Sequence, residues 1–512
     1  MYIWSFLLIL NLPFMMRTTL FTTGIISLFS LVINAQSIQK LPEYNLKSSQ
    51  TEHHLRFLAS DELMGRKTGE IGNQIAARYI AEQFRLVGAK PAVNGSFLQS
   101  VPLETITPPA SGYIQTFEGR MNINDDFILM SGDGFTVEKV EIVYLPYAWV
   151  DKDTDYNDYK DIDVKGKLIV TSVGFPGANT PQQMFSALAE KSKIAKEKGA
   201  LALIEVFNSP MPWRNITSYF GRKSIKIKTN DTAEIPHIWI SSAAAKNITK
   251  DKVSTASVQI ARRKSTPLQT TNVIGILEGT DPKLKEEFVV LSAHYDHVGH
   301  GATQGKVTPT DSVFNGARDN AFGVTALLAA AQAISQQPTK RSILLIAYTG
   351  EEIGLLGSRF YAENPVVPLE KCVYNLNCDG AGYNDTSLLT VIGLNRTSAK
   401  NDIVLAAQAF GLKAQEDTAP EQNLFDRSDN VSLAAKGIPA PTFSPGFTAF
   451  DDVINTYYHQ VADNPETVDF GYLLKYCQSF TYAARLIANK PQAPTWMPGD
   501  KYQKAFENLF KK

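Results

Sequence analysis

The sequence predicts an α/β fold in which a mostly parallel, mixed sheet is sandwiched by helices. Residues Phe288–Ala293 are mostly apolar and partly β-branched, which is typical of a strand buried on both faces. After Thr271, such strand-like stretches alternate with stretches of helical length, a pattern that favours a parallel sheet covered on both faces. Polar residues follow several of these strands directly, at the edge where α/β proteins place their ligand sites.

The N-terminus resembles an export signal. Apolar residues 20–33 follow a basic residue, and Ala35 offers a small side chain for cleavage. The apolar run is short for a membrane span. We therefore expect residues 1–35 to be a signal peptide, with Met15 or Met16 as the true start, and the mature protein to be periplasmic or secreted without a membrane span.

Residues 36–120 are predicted to form an N-terminal helical part of the main domain. Apolar residues recur at helical spacing on both sides of the polar, glycine-punctuated turn Ala59–Gly69. Taken by itself, this turn indicates a helix–loop–helix lid and carries no evident chemistry.

Residues 121–261 are predicted to form a β-rich insert. Short strand-like runs alternate with Asp-, Asn- and Gly-rich turns, and one helix is expected over Met184–Lys198. Titratable residues are scattered here, and the insert's histidine, His237, follows a proline in a strand. We expect a structural or substrate-gating module without catalytic residues.

Residues 262–490 are predicted to be the main α/β domain, and residues 491–512 a proline-containing tail with a short amphipathic end. The expected strands are 273–277, 288–293, 342–348, 373–378, 388–392 and 440–444, and the expected helices are 321–335, 400–410 and about 470–488.

Composition excludes several classes of protein. The 512 residues include 50 Lys and Arg against 51 Asp and Glu, so no charge excess points to nucleic acid or to a membrane surface. The 3 cysteines are too few for a disulfide scaffold or a thiolate zinc site. Free buried thiols are favoured over a Cys378–Cys477 bridge.

Imidazole and carboxylate residues cluster where predicted strands end, so they could converge at one edge of the sheet. They are His294, Asp296, Asp319, Glu351, Glu352, Asp379 and His459. Each one alone is more commonly an ordinary surface carboxylate or a capped strand end. Two imidazoles with several carboxylates are what Zn²⁺ binds when thiolates are absent, and a bridging carboxylate would let them bind two ions.

Five motifs resemble those of the two-zinc exopeptidases of metallopeptidase clan MH, the group of bacterial leucyl aminopeptidases, glutamate carboxypeptidase II and the transferrin receptor. The motifs are Ser292–Gly299, Gly316–Asn320, Gly350–Ser358, Asn377–Asp379 and Tyr458–His459. The segment from Leu58 to Arg66 looks like that family's N-terminal helical part, and residues 121–261 look like its protease-associated insert.

The resemblance implies a role for each residue of the cluster. His294 and Asp379 would hold one zinc ion, Glu352 and His459 a second, and Asp319 would bridge them.

It also implies that Glu351 is the general base and that Asp296 orients His294 as a catalytic partner. The family pattern further implies a cis peptide bond after Asp319. His297 and His300 match no ligand position and are expected at the rim of the site, with His297 a possible substrate contact.

The implied function is a secreted zinc aminopeptidase acting on peptide substrates, with two Zn²⁺ per chain. A carboxypeptidase or dipeptidase on the same site remains open, because loops and not motifs would recognise a free carboxylate. Glutaminyl cyclisation is less favoured by an intact ligand set. A non-catalytic, receptor-like relative would be marked by lost ligands, and none is lost here. Side-chain preference and oligomeric state are not indicated by the sequence.

Overall fold

The computed structural model describes residues 40–228, 234–249, 253–302 and 304–511. The expected signal peptide, residues 1–35, lies outside the described residues. Among the residues that are described, no helix is both long enough and apolar enough to cross a membrane.

Strands run through most of the described chain. In chain order they are β1 (Lys90–Pro91), β2 (Leu98–Thr107), β3 (Gly112–Gln115), β4 (Arg120–Asn122), β5 (Phe127–Ser131), β6 (Thr136–Tyr144), β7 (Leu168–Ser172), β8 (Ala202–Phe207), β9 (Ser224–Ile227), β10 (His237–Ser241), β11 (Thr255–Ile260), β12 (Lys264–Leu277), β13 (Phe288–His294), β14 (Gly299–His300), β15 (Val313–Phe314), β16 (Ser342–Tyr348), β17 (Cys372–Cys378), β18 (Leu388–Ile392), β19 (Lys413–Glu416) and β20 (Thr442–Pro445).

The helices alternate with the strands in the second half of the chain. They are α1 (Ser48–Leu58), α2 (Ile71–Leu86), α3 (Pro181–Glu197), α4 (Trp213–Phe220), α5 (Phe322–Gln336), α6 (Leu356–Glu363), α7 (Lys400–Ala409), α8 (Asn430–Ala434), α9 (Asp452–Tyr457), α10 (Phe470–Asn489) and α11 (Gln503–Phe510).

The chain divides into two compact units. The first unit contains residues 1–101 and 269–512, and the second contains residues 102–268. The second unit is wider at both ends than the predicted insert 121–261. It includes β3, a four-residue strand whose mixed sequence gives no clear alternation, so the composition change near Met121 marked the boundary too late.

The first unit has a mixed sheet in which β13 is central. The strand order across this part of the sheet is β19, β18, β20, β17, β13, β16 and β12. β13 is parallel to both β16 and β17, and β17 is parallel to β20. β12 is antiparallel to β16, and β18 is antiparallel to β20. The α/β class with a mixed, mostly parallel sheet is therefore confirmed.

Alternate residues of β13 face different helical layers. Val289 and Leu291 belong to a core built with α1, α2, α5, α7 and α10. Val290 packs in a separate core with residues of α6 and α8. Because successive side chains of a strand point to opposite faces, the sheet is buried on both sides, as the continuous apolar run predicts.

The beginning of the described chain is tied to α10 by a buried ion pair. Arg485 donates from Nε to Glu43 Oε1 at 2.6 Å and from Nη2 to Oε2 at 2.9 Å. Both side chains are at most 5% exposed. A bidentate Arg–carboxylate pair of this kind has a defined geometry as well as a strong electrostatic attraction.

The second unit has its own sheet, with the strand order β4, β3, β11, β6, β7, β8, β10 and β5. His237 is buried there, and its Nε2 lies 2.9 Å from Glu205 Oε2. Glu205 also accepts from buried Lys191 and Trp239. His237 thus belongs to a buried ionic network of the core. The assignment of this unit as a protease-associated module remains a prediction.

The chain's 3 cysteines, Cys372, Cys378 and Cys477, are free and buried.

Arg485→Ala should lower the free energy of unfolding by about 3–5 kcal/mol, because it leaves the Glu43 carboxylate buried without its partner. Arg78→Ala is the matched control, since Arg78 pairs with Glu82 on an exposed helix face. That change should cost less than about 1 kcal/mol. Urea unfolding of both variants tests this, and an equal loss in the two would contradict the role of the buried pair.

Candidate metal centre

Three parallel strands bring the predicted residues to one edge of the sheet. His294 is the last residue of β13 and is paired in register with Tyr348, the last residue of β16. Cys378, the last residue of β17, is paired with Ala293. Glu351 and Asp379 therefore follow the two strands that flank β13, at the same end of the sheet, as their positions in the sequence predict.

Asp319 lies in the connection between β13 and β16 and not at the end of a strand. It lies in the short helical segment Ala317–Ala321, which leads directly into α5. The peptide bond between Asp319 and Asn320 is cis, as the resemblance implies. Asp463 holds the segment by accepting hydrogen bonds from the backbone N–H groups of Arg318 and Asp319, at 2.9 Å and 3.3 Å.

The five predicted metal ligands form two triads that share Asp319. In the first, His294 Nε2 lies 3.3 Å from Asp319 Oδ1 and 3.1 Å from Asp379 Oδ1. In the second, His459 Nε2 lies 3.1 Å from both Asp319 Oδ2 and Glu352 Oε2. Each oxygen of Asp319 thus faces a different imidazole.

These spacings fit the chemistry of zinc. Nitrogen and oxygen ligands sit about 2.0–2.2 Å from Zn²⁺, so two ligands of one tetrahedral ion lie about 3.3 Å apart. The donor set of imidazoles and carboxylates without thiolates is also one that zinc accepts. Among the described residues, two groups could hold a metal ion: His294, Asp319 and Asp379 form one, and His459, Asp319 and Glu352 form the other together with His297.

Burial makes the cluster electrostatically demanding. Burial raises the pKa of the Glu351 carboxyl well above its usual range; His294 opposes the rise and the charges of Asp379 and Glu352 add to it. Asp319 is also buried, yet hydrogen bonds from His294 and His459 hold its pKa well below its usual range. Bound cations would stabilise such closely spaced carboxylates in their charged forms.

Asp296 contacts both His294 and the loop that follows β16. Its Oδ1 lies 3.8 Å from His294 Nδ1 and accepts a hydrogen bond from the Glu351 N–H at 3.2 Å. Its backbone oxygen lies 3.2 Å from the same His294 nitrogen. Asp296 is therefore placed to orient His294 and to position the residue predicted as general base.

The turn Ala59–Gly69 contacts the loops of the site, although taken by itself its sequence shows no chemistry. Thr68 Oγ1 donates to Asp296 Oδ2 at 2.8 Å. Arg66 is buried and donates to the backbone oxygens of Tyr295 at 2.8 Å and Gly316 at 3.0 Å. The turn thus fixes the loops that carry the site, although a polar turn gives no sequence signal of such contacts.

The expected rim position of His297 was wrong. His297 is 1% exposed, and its Nδ1 lies 2.7 Å from Glu352 Oε1. His300 is exposed, as expected for a rim residue. Nothing in the sequence indicated this contact, because His297 matches no ligand position of the motifs. Its burial depends on the path of the chain after β13.

The cluster lines a pocket together with several apolar side chains. The pocket is lined by His294, Asp319, Glu351, Glu352, Asp379 and His459 together with Ile392, Leu424, Arg427, Phe447, Phe450 and Tyr458. Arg427 contributes a guanidinium group to the lining of the pocket and donates a hydrogen bond to the Tyr458 hydroxyl at 3.2 Å. A pocket lined by both charged and apolar side chains suits a peptide end that carries an apolar side chain.

Comparison with known proteins finds a family model that matches part of the chain. Residues 272–483 match the model of peptidase family M28. Aminopeptidase YwaD of Bacillus subtilis (strain 168) is 25% identical over 317 residues, which cover 60% of this chain and 59% of that protein. The vacuolar membrane protease of Saccharomyces cerevisiae (strain ATCC 204508 / S288c) is 34% identical over 119 residues, or 10% of its length. The chain therefore spans less than two thirds of these curated relatives.

A solved structure supports the fold. The aminopeptidase from Aneurinibacillus sp. strain AM-1 aligns with a TM-score of 0.52 and 20% identity, covering 90% of this chain and 98% of that one. The family match and this fold confirm the resemblance that the sequence motifs indicated.

Asp319→Ala should lower the zinc content of the protein more than the loss of any other ligand, because its one carboxylate faces both triads. Zinc per folded chain, measured by elemental analysis after gel filtration, tests this. Asp452→Ala removes an exposed carboxylate of the same unit and should leave the metal content unchanged. Retention of both ions in the Asp319 variant would contradict the bridging role.

Proposed function

Because residues 272–483 carry a peptidase family M28 domain, we propose that this protein is a zinc-dependent exopeptidase, specifically an aminopeptidase that acts outside the cytoplasm. The observation that carries the proposal is the pair of triads sharing Asp319, with Glu351 lining the same pocket and belonging to neither triad. This arrangement separates two tasks, holding metal and moving a proton, between adjacent glutamates.

Two Zn²⁺ ions fit the proposed ligands. His294, Asp319 and Asp379 would hold one, and Asp319, Glu352 and His459 the other. When bound, such ions act as Lewis acids that polarise a peptide carbonyl and lower the pKa of water to about 7.

Glu351 is the proposed general base. The Glu351 carboxylate takes a proton from the attacking water as that water adds to the scissile carbonyl carbon. The same carboxyl then gives the proton to the leaving amine nitrogen, so the carboxylate is restored when the C–N bond breaks. The hydrogen bond from its backbone N–H to Asp296 holds the loop in place during both transfers.

The pocket favours attack at the amino end of a peptide. Carboxylates of the cluster provide acceptors for a substrate α-ammonium group, and Phe447 and Phe450 provide an apolar surface for the adjoining side chain. The relative YwaD is named an aminopeptidase, which supports the same polarity. We therefore expect cleavage after an apolar N-terminal residue.

A carboxypeptidase or dipeptidase is the second candidate, and Arg427 is the observation that favours it. Arg427 is exposed at the pocket and offers a guanidinium, the group best suited to bind a free carboxylate. In a dipeptidase both ends of a short substrate would be recognised.

Acetylation of the substrate α-amine should abolish cleavage, because the charged amine is lost, whereas amidation of the C-terminus should leave the rate nearly unchanged. Release of leucine from a tripeptide, its acetylated form and its amidated form measures both effects. Sensitivity to amidation but not to acetylation would replace the aminopeptidase proposal with the carboxypeptidase one.

Glu351→Gln should lower kcat by about 10²–10⁴-fold, because the amide retains size and hydrogen bonding but cannot accept the proton. Both zinc ions should remain bound, since Glu351 is not a ligand. Kinetics and zinc analysis on the same preparation test the assignment. Loss of metal, or near-normal kcat, would show that the roles of Glu351 and Glu352 are wrongly assigned.

A further inference from the structure

His297 is a third imidazole at the site that the proposed zinc mechanism does not use. Its ring is buried, and Nδ1 lies 2.7 Å from Glu352 Oε1. The other carboxylate oxygen, Oε2, lies 3.1 Å from His459 Nε2. Glu352 is thus shared between two imidazoles, one oxygen to each.

The surroundings fix the orientation of the His297 ring. The backbone N–H of His297 donates a hydrogen bond to the backbone oxygen of Arg66 at 3.3 Å. Gly316 packs against the ring so closely that a Cβ there would lie 2.6 Å from His297 Cγ. Gly316 also has φ of 58°, a conformation that favours glycine. A side chain at residue 316 would displace the ring from Glu352.

Among the described residues, only one of the two ring nitrogens of His297 has a hydrogen-bond partner. Nδ1 faces a carboxylate oxygen, which accepts but cannot donate when it is charged, so Nδ1 carries the proton. Nε2 is buried and has no hydrogen-bond partner among the described residues. The ring therefore acts on the site through a single hydrogen bond, from Nδ1–H to Oε1.

We propose that His297 is a positioning residue that makes Glu352 a single-oxygen ligand: its Nδ1–H occupies Oε1 and directs Oε2 to the metal position shared with His459. The proposal rests on the two-zinc function proposed above. Hydrogen bonds from outer residues to metal-ligating carboxylates typically change metal affinity by about 10–100-fold. Here the effect should fall on the Glu352–His459 position and spare the His294–Asp379 position.

Two amide substitutions distinguish the ring nitrogens. In His297→Asn the side-chain NH₂ falls near the position of Nδ1, so the bond to Glu352 can be kept. In His297→Gln the NH₂ falls near the position of Nε2, so that bond is lost although size and polarity are similar. His300→Asn is the control, since His300 is exposed and three residues away.

The test is zinc affinity by chelator competition on the full chain, with thermal unfolding in the presence and absence of added zinc as a second readout. His297→Gln should bind one zinc about 10–100-fold more weakly and the other normally. Its zinc-dependent rise in Tm should shrink accordingly. His297→Asn and His300→Asn should match the unsubstituted protein in both measurements.

Three results would overturn the proposal. Unchanged affinity in His297→Gln would leave His297 with a packing role only. Weakened affinity in both variants, or in His297→Asn alone, would mean that the imidazole acts as a direct ligand or through Nε2. The failure of the proposed function is distinct, because in that case the unsubstituted protein itself would not bind two zinc ions.

Discussion

The mutual repulsion of buried carboxylates at one sheet edge is the constraint on which the site depends. Asp319, Glu351, Glu352 and Asp379 line one pocket, and burial alone would favour their neutral forms. Imidazoles compensate part of this charge, as the lowered pKa of Asp319 beside His294 and His459 indicates. Divalent cations would compensate the rest, which explains why so many acidic groups can share so small a volume.

The scaffold holds these groups from several directions. Parallel pairing of β13 with β16 and β17 places His294, Glu351 and Asp379 at the same end of the sheet. Asp319 is fixed separately, through hydrogen bonds from its backbone segment to Asp463. His459 has φ of 53°, an uncommon conformation for a residue with a side chain, and such conformations cluster at functional sites. These separate contacts hold the residues of the two triads in place relative to one another.

The sheet and the residues at the ends of its strands could be predicted from the sequence, because both depend on local signals. A continuous apolar run predicts a buried strand, and parallel neighbours carry the polar residues after it to one edge. Thr68, Arg66 and His297 were missed because their contacts depend on long-range packing. Arg66 reaches Tyr295 across 229 positions of sequence, and no periodicity encodes that distance. The start of the second unit was placed late for a related reason, since a short strand such as β3 lacks a pattern of its own.

The most direct test is crystallographic, with anomalous diffraction recorded on either side of the zinc absorption edge from crystals of the zinc-loaded protein. Two peaks are expected, one among His294, Asp319 and Asp379 and the other among Asp319, Glu352 and His459. Glu351 should touch neither peak, and His297 should remain hydrogen-bonded to Glu352. A single peak, or a peak coordinated by Glu351 or His297, would contradict the division between residues that hold metal and residues that act beside it.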